Sequence, residues 1–147
     1  MEFKTMEPRA VVEAYWQAMQ SNDFSRAARW LGDDFICDWP QSGERIEGRC
    51  NFVEINRRYP AAGPWNFDVV RLLEQGGEVV TEVLITDGEV QARAITFHTV
   101  RGNVKEVFRQ KLVAQITRTG YLKKVPKYKA VIDAGGSAQQ ARRALDY

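Results

Sequence analysis

The sequence predicts an α+β domain with helices laid on one face of an antiparallel sheet, and three observations carry that prediction. Apolar residues near the N-terminus recur at helical spacing. From Phe67 onward the pattern changes to period two. Turn signals at Gly76-Gly77, Asp87-Gly88 and Arg101-Gly102-Asn103 then cut the second half into strand-length pieces.

Each element follows in order. Pro8 suits the first turn of a helix, and Val11, Val12, Tyr15, Trp16 and Met19 then form one apolar stripe. Ser21-Asn22-Asp23 ends that helix and offers caps for a second, predicted over Phe24 to Leu31. Gly32-Asp33-Asp34 turns into a strand, Phe35–Trp39. Trp39 precedes a proline and is therefore biased to extended geometry, and Pro40 ends the pairing. The following QSGERIEGR reads as a polar loop. Gly48 opens a third helix, Arg49 to Arg58, closed off by Pro60 and Gly63-Pro64. Phe67–Leu73, Glu78–Thr86 and Glu89–Val100 read as successive strands, with the Asp87-Gly88 hairpin as the strongest turn signal. Val104–Arg109 is the expected last strand. Past about Gln110, Val113, Ile116 and Leu122 keep no period, so the domain is drawn over residues 8–110, with 111–147 as a basic extension.

At 147 residues the chain suits one domain with a real core. Its apolar content of 44% and charged content of 27% are those of an ordinary globular protein. There is no apolar run of membrane-helix length and no signal-peptide pattern at the start, which makes the cytoplasm the expected location. One histidine and two cysteines, Cys37 and Cys50, make a zinc site of the Cys/His type improbable, and reduced thiols are expected. The net charge of +2 hides an asymmetry. Residues 1–100 hold ten Lys and Arg against sixteen Asp and Glu, and residues 101–147 hold eleven against three. Solvated lysines explain such a tail better than nucleic-acid binding does. No P-loop, GxGxxG, GxSxG or calcium-loop motif is present, so no cofactor and no metal are expected.

The stretch VVEAYWQAMQSNDFSRAARWLGDDFICDWP, with WPQSGERIEGR and the strands ending FHTVRG, resembles the SnoaL-like, polyketide cyclase-like branch of the nuclear transport factor 2-like superfamily. It also resembles ketosteroid isomerases. The resemblance covers about residues 8–109. It implies a cone, in which a curved sheet wraps around the N-terminal helices and encloses a deep, largely apolar pocket, often in a homodimer. The superfamily includes isomerases, cyclases, dehydratases and non-catalytic modules, so it specifies fold better than function.

Two residues are the catalytic candidates. Tyr15 stands where ketosteroid isomerases carry the tyrosine that hydrogen-bonds a developing enolate oxygen. His98 would move a proton near neutral pH. The alternative for each is a core side chain whose polar atom has merely found a partner. Trp16, Met19, Trp39, Tyr59, Trp65, Glu82 and Thr96 are expected to line the pocket. Glu82 could instead pair across strands with Arg71 or Arg93, and Asp68 invites the same two readings. The isomerases' base directly precedes the proline, and here that position is Trp39. Asp38 points to the opposite face and reads as a rim salt bridge. The isomerases' second oxyanion donor corresponds to Thr96.

After FHTVRG the chain departs from the family pattern and reads VKEVFRQKLVAQITRTGYLKK. A genuine extension and a shifted reading frame are both open readings of that departure. Two functional expectations follow. One is a cofactor-independent isomerase, cyclase or dehydratase acting on an enolisable carbonyl compound. The other is a non-catalytic module that binds a small hydrophobic molecule or dimerises through its sheet. A homodimer is expected in both.

Overall fold

The structure, a computed structural model, describes residues 6–40, 42–101 and 105–116. Among these are three helices, α1 (Pro8–Gln20), α2 (Phe24–Ala28) and α3 (Arg49–Arg58). The strands are β1 (Leu31–Trp39), β2 (Glu44–Glu47), β3 (Asn66–Gln75), β4 (Glu78–Thr86), β5 (Gln91–Arg101) and β6 (Glu106–Ile116). They form one curved sheet in the order β2-β1-β6-β5-β4-β3. Only β1 and β6 run parallel, and the other neighbours are antiparallel. Residues 1–5, 41, 102–104 and 117–147 lie outside this description; of the expected extension, 111–116 belong to β6 and the rest lies outside the described residues.

α1 begins with Pro8 at its first position, where a missing N–H costs nothing. Its stripe, Val11, Val12, Tyr15, Trp16 and Met19, is buried against the sheet. Burying each such aliphatic side chain contributes roughly 1.5–3 kcal/mol. Asn22 ends the helix region in the left-handed conformation, φ 63°, which asparagine tolerates better than most residues. The Asp23 carboxylate then accepts the Arg26 N–H at 3.2 Å and caps α2. α2 stops at Ala28 rather than at the expected Leu31, because Leu31 is already in β1 beside Val107 of β6.

Two further expectations are corrected. The stretch read as a polar loop after Pro40 contains β2, which pairs with β1, and Ser42 and Gly43 both hydrogen-bond back to the Trp39 carbonyl between them. Gly43 has φ 72° there, and its N–H lies 3.0 Å from that carbonyl. A strand of four residues with one apolar side chain has too few repeats to show a period. The last strand runs from Glu106 to Ile116, well past the expected end at Arg109. The pairing with β5 slips between Val107 and Arg109, leaving Phe108 as an extra residue. That bulge changes the phase of alternation, so Val107 and Gln110 are both buried.

On the inner face the sheet presents Val79, Thr81 and Val83 from β4, and Ala94, Thr96, His98 and Val100 from β5, all buried. Cys37 is buried and Cys50 exposed, and no disulfide joins them. No helix among the described residues is long and apolar enough to cross a membrane.

Candidate functional site

α1, α3 and the inner face of the sheet enclose a partly open cavity of about 120 Å³. Tyr15, Trp16 and Met19 project into it from α1, at the i, i+1, i+4 spacing that places them on one helical face. Phe52 and Asn56 come from α3, and Tyr59 from the turn after it. The Trp65 and Phe67 rings complete that side, with Tyr59 and Trp65 edge to face at 5.8 Å. On the sheet side the wall is Cys37 and Trp39 of β1, Ile46 of β2, and Gln110, Leu112 and Ala114 of β6. Among the described residues no carboxylate, histidine, lysine or arginine lines the cavity. Its polar atoms belong to uncharged groups, chiefly the Tyr15 hydroxyl and the Gln110 and Asn56 amides.

Trp65 is held from a distance in sequence. The Asn22 side chain donates to the Trp65 carbonyl at 2.7 Å and accepts the Trp65 N–H at 2.8 Å. The residue that ends α1 therefore also fixes the indole at the cavity.

Behind the wall lies a buried polar chain. The Trp16 Nε1–H donates to Thr81 Oγ1 at 3.2 Å, and that oxygen lies 3.2 Å from His98 Nε2. His98 Nδ1 is 3.2 Å from Gln110 Nε2, and the same amide lies close enough to the Tyr15 hydroxyl to act on it. The imidazole stands edge-on to the Tyr15 and Trp16 rings, each 5.9 Å away. Burial penalises its charged form and pulls its pKa down to about 3. Burial pushes the Tyr15 pKa above its ordinary value of 10, only partly offset by Gln110, so Tyr15 is a phenol at neutral pH.

The sequence-derived candidates divide accordingly. Tyr15, Trp16, Met19, Trp39, Tyr59 and Trp65 line the cavity. Glu82 does not. It lies on the outer face between Arg93, with which it forms a close ion pair, and Arg71 at 3.8 Å. Alternation decides this, since its neighbours Thr81 and Val83 are the inward ones. Thr96 faces inward but is buried behind the wall, and its hydroxyl has no partner among the described residues. His98 is fully buried and reaches the cavity only through Gln110. A proton-moving role for His98 therefore has no direct access to a bound molecule. Asp38 pairs with Arg45 at 2.7 Å on the far face of β1, and Asp68 is exposed opposite Leu84.

Sequence reasoning missed Gln110, Asn22, Phe52 and Asn56. Phe52 and Asn56 sit four apart on α3, a spacing that could have marked them as one face. Gln110 was hidden by the bulge before it.

Comparison with known proteins follows from this geometry. The sequence profile of the SnoaL-like domain matches residues 12–105. A solved structure from Kribbella flavida, named as a candidate ketosteroid isomerase, is 28% identical over 76% of this chain and 79% of that one, with a TM-score of 0.67. A nuclear transport factor 2-like protein of unknown function from Burkholderia xenovorans is 29% identical over 80% and 91%, with a TM-score of 0.63. An LEH-like epoxide hydrolase from M. tuberculosis shares the fold at 23% identity, covering 76% and 84%, with a TM-score of 0.62. No curated protein matches the sequence.

Proposed function

The chain belongs to the SnoaL-like family, and we propose that its cavity binds a small, uncharged, largely apolar molecule with one hydrogen-bonding group. The observation that carries this reading is the wall itself. Its surface is aromatic and aliphatic, and its polar atoms are a phenol and amides rather than ionised groups. An apolar cavity of ~150 Å³ holds one benzene, so about 120 Å³ suits a single small ring better than a polycyclic one.

A second reading is proton transfer on an enolisable carbonyl compound, as an isomerase, cyclase or dehydratase. It is favoured by the un-ionised phenol of Tyr15 at the cavity, a group suited to stabilising an enolate oxygen. It needs a base, and the described part of the wall supplies none.

Cyclopentanone and cyclohexenone, titrated while the melting temperature and proton exchange in heavy water are followed, separate the two. The binding reading expects a saturable rise in melting temperature and no exchange above background. Tyr15→Phe should weaken binding about tenfold, the loss of one buried hydrogen bond. No rise with any single-ring ketone would sink the binding reading. Exchange lost in Tyr15→Phe would move the assignment to proton transfer.

For assembly we propose a homodimer through the outer face of the sheet. Leu73, Leu84, Phe97 and Val113 are exposed there. Glu82, Arg71 and Arg93 add charges of both signs, a pattern that a two-fold axis can match to itself.

A further inference from the structure

We infer that His98 is a positioning residue: held as the neutral Nδ1–H tautomer, it directs a one-way hydrogen-bond chain from Trp16 through Thr81, His98 and Gln110 to Tyr15, whose hydroxyl donates into the cavity. The direction follows from counting donors. An indole N–H can only donate, so Trp16 gives its hydrogen to Thr81 Oγ1. The Thr81 hydroxyl has one hydrogen of its own and is fully buried. Among the described residues, the acceptor within its reach is His98 Nε2, at 3.2 Å. If Nε2 carried the ring hydrogen instead, Thr81 would receive two donors and its own hydrogen would be stranded, which buried groups avoid.

The remaining steps are then fixed. Nε2 accepts, so the single hydrogen of the neutral ring is on Nδ1, which faces Gln110 Nε2 at 3.2 Å, two donors that cannot share the contact. The amide must turn its oxygen to Nδ1. Its two ends have nearly the same shape, and a half-turn about the last bond exchanges them without moving any other group. The amide NH₂ then faces Tyr15 and donates to the phenol oxygen. That leaves the Tyr15 O–H, at the cavity wall, without an acceptor among the described residues. With the other tautomer Trp16 still donates to Thr81 but the rest of the chain reverses: His98 Nε2–H donates to Thr81, Gln110 donates to the ring, Tyr15 donates to Gln110, and the cavity meets a phenol lone pair. The tautomer of a residue that touches no ligand thus decides the polarity of the site. The favoured ligand class is a molecule that accepts a hydrogen bond, such as a cyclic ketone. This part rests on the binding reading proposed above.

The chain has one histidine, so its ring nitrogens can be read by ¹⁵N NMR without assignment. The expected spectrum at neutral pH shows Nδ1 in the protonated range and Nε2 in the pyridine-like range. The reverse pattern, or a charged ring, overturns the inference whether or not any ligand binds. The second arm compares five-membered rings: cyclopentanone, an acceptor; pyrrole, which offers an N–H donor; and cyclopentane, which is neither. Cyclopentanone should bind at least tenfold tighter than pyrrole, and Tyr15→Phe should remove that difference. Equal affinities, or a preference for pyrrole, overturn the assigned direction. If none of the three binds, the binding reading fails and takes the ligand class with it, while the NMR pattern still decides the tautomer.

Discussion

His98 makes the stability of the folded chain depend on acid in a definite sense. Its folded pKa is about 3, below the ordinary 6.5, because burial excludes the charged ring. The unfolded chain therefore takes up a proton first as pH falls. The contribution is complete above about pH 6.5 and is lost progressively toward pH 3, at up to about 1.4 kcal/mol per pH unit. Urea midpoints between pH 6.5 and about 5.5, where carboxylates at their reference values stay almost wholly ionised, sample the effect. A His98→Gln variant should show a flatter dependence than the parent. Coincident slopes would assign the acid sensitivity elsewhere. Thr96 gives a second prediction at this scale. Its hydroxyl is buried and has no partner among the described residues, so Thr96→Val keeps the shape and removes an unsatisfied group. The variant should be about 1 kcal/mol more stable by denaturant unfolding, and a loss of stability would mean that the hydroxyl has a partner after all. The sequence made His98 and Tyr15 visible as chemistry-bearing residues. It could not reveal that a glutamine stands between the histidine and the cavity.

Among the elements, legibility followed the number of repeats available to a pattern. α3 and β4 carry several turns or several alternations, and both begin and end where the sequence placed them. β2 has one apolar residue in four and passed for a loop. β6 was ended at Arg109 because Val113, Ile116 and Leu122 keep no period, and the bulge at Phe108 breaks the alternation that would have continued it. The same error hid Leu112 and Ala114, two residues of the cavity wall. Glu82 shows the converse case. Its strand was read correctly, but which face the curved sheet turns to the helices is settled by packing, and that side belongs to Thr81 and Val83. Pairing with Arg93 and Arg71 was one of the two readings open to it, and the geometry selects that one.

For the molecule as a whole, the sheet has two faces with two tasks, one closing over a cavity and the other exposed. If the exposed face joins two copies, the protein sediments at twice its chain mass, and Phe97→Asp, which places a charge on that face, should yield monomers. The ligand-induced rise in melting temperature should survive the change, since Phe97 lies on the side away from the cavity. A parent protein that sediments as a monomer at every concentration would remove the assembly proposal. The bulge at Phe108 bears on how such a cavity changes over descent. A straightened β6, shortened by losing Lys111 alone, would carry Arg109 where Gln110 now stands and leave Leu112 and Ala114 facing inward. The site would exchange a neutral amide for a guanidinium and become a receptor for anions. If the cavity binds a ketone as proposed, a ketone binder and a carboxylate binder on this scaffold stand one codon deletion apart in sequence space.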